Sequence, residues 1–282
     1  MNKLNDKSTE LSLRLRKLIL KGALISPARG AHLGGSLSCI DLLACLSNFW
    51  SFNSDIEKDF ARLTLSKGHA CLALYSFLLE NNLIDLDTFE GFQENGSKLL
   101  GHPVRDENSC IYFSSGSLGI GLSNCVGQAI YMKKKYKEQS PKIVCIVGDG
   151  EASEGIVYES LSVASNLNLN NLLIIFDINK FQQTGSTSEI SNDLVWDKFV
   201  SSMGCEYYEI LDGNNHSSIN NVLNKVKNNT HSTSQVICAH TIKGAGIDFM
   251  ENDNSWHYGS LTEEKYQEAL NSLENRLSLI HI

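Results

Sequence analysis

Short continuous apolar runs alternate along this chain with segments whose apolar residues recur every three or four positions. The runs are KIVCIV (142–147), NLLIIFDI (171–178), CEYYEIL (205–211) and QVICAHTI (235–242), each of strand length. Residues 155–167, 216–228 and 262–277 carry helical spacing between and after them. Continuous apolar strands alternating with helices predict a mainly parallel sheet with helices on both faces, an α/β, doubly wound fold. Upstream, leucines at helical spacing over 8–23 predict a helix with Ser8 as its N-cap, and 40–50 and 70–80 read as helices too. The stretch SLGIGLSNCVGQAIYMKKKYK (117–137) reads as a glycine-opened helix whose closing lysines suit a helix C-terminus. The patch NLNLNN (166–171) reads as a short helix-to-strand connection.

Composition narrows the classes. With 282 residues, 42% of them hydrophobic, and neither a repeat nor a Pro/Gly/Ser-rich linker, a single domain over 1–282 is expected. The 24 basic and 32 acidic residues give a net charge of −8 without blocks, a poor match to nucleic acid or an anionic membrane. The N-terminal segment has charges throughout and no apolar core, so it reads as neither signal peptide nor membrane span, and a cytoplasmic location is expected. The eight cysteines (39, 45, 71, 110, 125, 145, 205, 238) make no CxxC pair, which predicts reduced, buried thiols.

Ligands of such sheets bind at the carboxyl ends of the strands. Asp149, inside GDG (148–150), stands at one such end, and Asn179 stands at the next, 30 residues on. One charged and one neutral oxygen make half of a Mg²⁺ site, leaving coordination positions for substrate phosphates and water. Gly148 and Gly150 would permit close backbone approach, and the following helix would aim its positive N-terminus at the same place. The alternative is an ordinary strand-to-helix turn capped by Asp149. GSLGIG (116–121) follows no strong strand and is weak evidence for a dinucleotide site.

Four of the eight histidines, His32, His69, His102 and His257, sit beside glycine or small residues in apparent loops (AHLGG, KGHA, GHP, SWHY). A lone loop histidine is ordinarily just solvated. Four of them point instead to proton transfer near neutral pH, which needs groups titrating there. His216, His231 and His281 read as surface residues and His240 as a structural strand residue. Trp256, beside His257, reads as a packed anchor.

GDG followed by an asparagine about thirty residues on resembles the thiamine diphosphate motif. The surrounding blocks resemble the amino-terminal half of transketolase, in the split form where that half is a separate subunit. They are HLGGSLSCIDLL (32–43), LSKGHACLALYS (65–76), GHP (101–103), GSLGIGL (116–122), GDGEASEGIVYES (148–160), DINKFQQTG (177–185) and AHTIKGAGIDFMENDNSWH (239–257). They span nearly the whole chain, in the family's order.

The resemblance implies roles residue by residue. Asp149, Asn179 and the main-chain carbonyl of Phe181 would hold Mg²⁺ or another divalent cation against the diphosphate. Gly148 and Gly150 would contact the diphosphate, with Lys243 near it. Gly35, Gly116, Ser117, Leu118 and Gln183 would lie along the cofactor. His32, His69, His102 and His257 match active-site histidines that polarise sugar hydroxyl and carbonyl groups, His69 and His257 also touching the cofactor. Glu154 and Glu159 match acidic residues between two cofactors at a dimer interface, though by themselves they read as the polar face of a helix. Two positions depart from the family pattern: Ala31 stands where glycine usually precedes the histidine, and Ile120 replaces a glutamine.

The activity so implied is transfer of a two-carbon ketol unit from a ketose or its phosphate to an aldose. The family's cofactor-activating glutamate comes from a pyrimidine-binding domain, and no second set of strands follows SWH here. The expectation is therefore half an active site, completed by a C-terminal subunit carrying that domain, in an assembly of two copies of each chain. The other readings are an α-type subunit of a thiamine diphosphate-dependent 2-oxo acid decarboxylase and a non-catalytic cofactor-binding subunit.

Overall fold

The computed structural model describes residues 3–26, 30–52, 59–191 and 193–280, with side chains to residue 276; His281 lies outside them. The chain opens with helix α1 (Lys3–Ile25), then α2 (Leu33–Ser38), α3 (Ile40–Leu46), strand β1 (Ala61–Leu65), α4 (Cys71–Glu80) and α5 (Leu86–Glu90). Next come α6 (Ile120–Tyr136), β2 (Lys142–Gly148), α7 (Gly155–Asn166), β3 (Leu172–Ile178), α8 (Thr187–Ile190) and α9 (Trp196–Ser202). The last elements are β4 (Glu206–Ile210), α10 (His216–Asn228), β5 (Gln235–His240) and α11 (Glu263–Ile280).

The five strands form one sheet, order β1-β2-β3-β5-β4, in which every neighbouring pair is parallel. Alternation along the strands splits the core in two. Val144, Ile146, Leu173, Ile175, Ile237 and Ala239 pack with buried residues of α1, α3, α4 and α10. Ile143, Cys145, Val147, Leu172, Ile174, Phe176 and Cys238 pack with α6, α7 and α9. The α/β, doubly wound expectation holds.

Several local expectations need correction. Helix α1 begins well before Ser8, whose hydroxyl donates back to the Leu4 carbonyl (2.9 Å) inside the helix and caps nothing. Strand β1 (ARLTL) is short and carries arginine and threonine, so no apolar run marks it in the sequence, and it is defined by its parallel pairing with β2. The helix expected over 40–50 is shorter, ending at Leu46, and Cys39 separates it from the preceding α2. The eight cysteines are buried free thiols. Burial pushes those of Cys39, Cys45 and Cys71 up to about 12.

Two histidines read as surface residues are tied into the fold. His216 Nε2 meets Asp41 Oδ1 at 2.9 Å and its Nδ1 meets Thr9 Oγ1 at 3.0 Å. His231 bridges Glu206 Oε2 (2.5 Å) and the Val226 carbonyl (2.8 Å). His240 is structural as expected, with Nε2 3.1 Å from Glu209.

Asp41 is the hub of the α1–α3–α10 layer. Arg16 donates to both of its oxygens (3.0 and 2.6 Å), and Asn214 donates to one of them (2.9 Å). Burial alone would raise this carboxyl, but Arg16 and His216 hold it well below the usual carboxylate range. Arg16→Met leaves Asp41 buried without its guanidinium partner, and we expect it to cost about 3–5 kcal/mol in urea unfolding. A variant as stable as the parent would show that the pair contributes little.

Candidate active site

Parallel register brings the strand tips together. Gly148 pairs with Asp177, so Asp149 and Asn179 project from adjacent ends of β2 and β3. Asp149 is buried, its carboxylate accepting the N–H of Gly150 (2.8 Å) and of Lys180 (2.5 Å). It is therefore no helix cap: the turn Glu151–Ser153 intervenes, and α7 starts at Gly155. Asn179 Oδ1 accepts the N–H of Phe181 (3.1 Å), and Lys180 between them is left-handed (φ 65°), which folds the turn tightly back on Asp149. Close approach at GDG lies at Gly150, where a Cβ would meet Gln182 at 2.8 Å. Gly148 has no such need: a Cβ there meets nothing closer than 3.8 Å, and its N–H is used by Glu151 (3.0 Å).

Beneath these tips lie residues that carried no assigned role. Lys67, at the end of β1, forms a fully buried ion pair with Asp177 and donates to the Gly35 carbonyl (2.7 Å). Ser38 (2.6 Å) and Thr241 (2.5 Å) donate to the same aspartate. Glu151 accepts from Ser66 (2.5 Å), the Gly119 N–H (2.7 Å) and the Gly148 N–H, joining the loop before α6 to the GDG turn. A charged residue inside an otherwise apolar strand (LLIIFDI) was the available signal for Asp177.

The four glycine-flanked histidines converge. His32 lies 5.4, 5.8 and 5.3 Å, ring centre to ring centre, from His69, His102 and His257, and His69 stacks on His257 at 5.5 Å. His32 stands in extended conformation just before α2. His69 and His257 belong to short 3₁₀ turns (Gly68–Ala70 and Asn254–His257) rather than open loops, while His102 is exposed. Gly35 abuts the His69 ring, and Gly116 (φ 151°) lies beside His102. Trp256 anchors the last turn against Phe249, centroids 5.2 Å apart. Ser117, Leu118, Gln183, Glu154 and Glu159 are exposed; the two glutamates sit at and just inside the start of α7.

Lys243 joins the strand tips to the histidines. It is 1% exposed, donates to Asn254 Oδ1 (2.5 Å) and the Gln182 carbonyl (3.4 Å), and meets His257 Nδ1 at 3.1 Å. All three partners are neutral. An ammonium only donates, so His257 Nδ1 accepts and the neutral ring carries its proton on Nε2.

Low polarity shapes every charge here. Burial, then repulsion from Lys67, lowers Lys243 to about 8. Burial, then Asp177, raises Asp149 to about 7. Burial and neighbouring cationic groups lower His32 and His257 to about 4 and His69 well below its ordinary value. These three rings are thus neutral at physiological pH and do not titrate near 7, contrary to the sequence expectation. They are built to give and accept hydrogen bonds.

A carboxylate whose ionisation burial opposes suits a cation, and a buried ammonium with only neutral partners suits an anion. The two groups flank the same turn, so the residues fit a divalent cation bridged to a diphosphate. Asp149 and Asn179 offer the oxygens and Lys243 the countercharge.

The NMR midpoints of His32 and His257 should lie near pH 4, and Lys243→Met should raise that of His257 by removing a neighbouring cation. An unmoved His257 midpoint would exclude that electrostatic coupling. Each ring's folded pKa lies below its unfolded one, so the unfolded chain takes the proton first. The stability each contributes is therefore present above about pH 6.5 and is lost as pH falls towards 4.

Residues 15–275 match the family model described as "Transketolase, thiamine diphosphate binding domain". The chain is 35% identical to an apulose-4-phosphate transketolase subunit of Actinobacillus succinogenes, over 92% of this chain and 93% of that one. It is 32% identical to the 6-deoxy-6-sulfo-D-fructose transketolase subunit SqwG of a Clostridium species, over 92% and 94%. The transketolase structure from Campylobacter jejuni superposes with a TM-score of 0.82 at 27% identity, covering 96% of this chain and 43% of that one. Among the described residues no helix is long and apolar enough to cross a membrane.

Proposed function

The chain belongs to the transketolase thiamine diphosphate-binding domain family, and from that premise we propose that it is the diphosphate-binding subunit of a split transketolase. The reaction is transfer of a two-carbon ketol unit from a ketose or its phosphate to an aldose, with Mg²⁺ and thiamine diphosphate. The observation that carries the reading is the convergence of four imidazoles on a turn holding one carboxylate, one carboxamide and a buried lysine.

Asp149, Asn179 and the Phe181 carbonyl would hold the cation, Gly150 and Lys243 would face the diphosphate, and Gly35, Gly116, Ser117, Leu118 and Gln183 would line the cofactor. Thiamine diphosphate, when bound, supplies the carbon nucleophile that ketose cleavage needs. The protein orients the sugar. His257 presents an Nε2–H donor to a sugar oxygen because Lys243 occupies its Nδ1. His32, neutral and half-buried, accepts from or donates to a hydroxyl, and His69 and His102 complete the polar wall. Replacing water by these fixed groups stabilises charge that develops on oxygen.

Subunit naming among the relatives and the surface beside α7 support a partner chain. Exposed Leu118 and Ile120 flank Gly119, whose neighbours are Ile156 and Glu154. An apolar patch bearing Glu154 and Glu159 beside the cofactor site fits coverage by a second chain. The partner carries the pyrimidine-binding domain, and two copies of each chain enclose two sites in the cytoplasm.

Asp149→Asn retains an acceptor for one backbone N–H, so stability should fall by about 1 kcal/mol. Mg²⁺-dependent binding of thiamine diphosphate should weaken at least about tenfold through the lost ligand charge. Unchanged affinity by calorimetry would remove Asp149 from the metal site. The functional reading itself is tested by assaying ketose-to-aldose transfer by the homogeneous chain alone and with a polypeptide carrying the pyrimidine-binding domain. We expect no turnover alone and turnover together; full activity of the isolated chain would refute the half-site.

A further inference from the structure

Tyr258 follows the last histidine of the cluster, and its ring centre lies 4.7 Å from that of His32 at an interplanar angle of 64°. Among the described residues, the other rings in contact with His32 are the three active-site histidines, so Tyr258 is its carbocyclic neighbour. The residue is 52% exposed, yet it is firmly seated. Behind it lies Gly30, in left-handed conformation (φ 64°), where a Cβ would stand 3.0 and 3.1 Å from two ring carbons.

The backbone on both sides is pinned. Ala31 and Gly259 exchange N–H···O bonds of 2.8 and 3.0 Å, tying the segment before His32 to the segment after Tyr258. Gln93 donates to the Gly30 carbonyl (3.1 Å) and holds the notch from outside. The tyrosine is thus registered against His32 by main-chain bonds while about half of it remains exposed.

The four imidazoles answer only one half of a sugar's chemistry. They meet hydroxyl and carbonyl oxygens, but a carbon chain also has faces of C–H bonds that gain from an apolar surface. An aromatic ring supplies that surface at low conformational cost.

We propose that Tyr258 is a specificity-determining residue, the aromatic platform on which the C–H face of the ketose packs beside His32. The inference rests on the ketol-transfer reading above. The platform touches carbons whose bonding does not change in the reaction, so it binds ground state and transition state alike. Such a contact sets KM and leaves kcat alone. It also favours ketoses with an uninterrupted C–H face there over those carrying a hydroxyl or branch on that face.

The test uses the assembled enzyme, this chain with its pyrimidine-domain partner, at saturating thiamine diphosphate and Mg²⁺. Tyr258→Ala should raise KM for the ketose about tenfold with kcat within about threefold of the parent, and Tyr258→Phe should restore KM. Thermal midpoint and cofactor affinity should match the parent in both variants, which a purely structural role would not allow. If the alanine variant does not fold, Tyr258→Gln, similar in size but polar, should show the same rise in KM. Unchanged KM in the folded Ala or Gln variant would overturn the assignment, and so would a collapse of kcat in the Phe variant, which would make the phenol an acid or base. A parent complex without any ketose-to-aldose transfer would instead overturn the functional reading, and the Tyr258 assignment with it.

Discussion

Lys67 and Asp177 face each other with 1% and 0% of their side chains exposed, and the rest of the site is built around them. Removing two charges from water costs several kcal/mol each, and attraction alone repays it only with good geometry and further hydrogen bonds. Here the Gly35 carbonyl accepts from the lysine, and Ser38, Thr241 and Asn179 turn their donors to the aspartate. Those partners come from α2 and the segments after β3 and β5, while Lys67 follows β1. One buried pair therefore locks four separate chain segments to the carboxyl edge of the sheet. Burial alone would lower the Lys67 ammonium, but Asp177 raises it to about 12, so the lysine stays charged.

That fixed pair sets the field above it. Burial dominates each shift; to it Asp177 adds a push upward on the Asp149 carboxyl, and Lys67 a push downward on Lys243, His69 and, after Lys243, His257. The result is a site with two permanent charges in its floor and suppressed charges in its walls. A bound cation and a bound diphosphate would each reverse the shift of the group nearest to them. In the free chain Lys243 thus loses its proton more readily than an exposed lysine and Asp149 is only partly ionised, and a bound anion and a bound cation would stabilise the charged form of each.

The imidazole cluster follows the same rule. Three histidines lie 5.3–5.8 Å from His32 and would repel it strongly if protonated, and burial makes the neutral form the stable one for His32, His69 and His257. Their use then depends on tautomer and direction. Lys243 determines both for His257, as a donor that forces Nδ1 to accept. A lysine buried among neutral partners is in this respect as much a part of the sugar site as of the diphosphate site.

The layered α/β fold was legible in the sequence because strands buried on both faces need unbroken apolar runs, and KIVCIV, NLLIIFDI and QVICAHTI are such runs. Asp149 and Asn179 were legible for a related reason: a polar residue directly after such a run can only stand at a strand end. The histidines were singled out by their glycine neighbours, but their meeting was not encoded locally. His32, His69, His102 and His257 span 226 positions and touch only because α2, β1 and the segment after β5 end at one edge of the sheet. The neutrality of His32, His69 and His257, the seating of Tyr258 on Gly30 and the Lys67–Asp177 lock were decided by the tertiary structure alone. Dielectric environment and through-space charge depend on what surrounds a group in three dimensions, and no spacing along the chain records them.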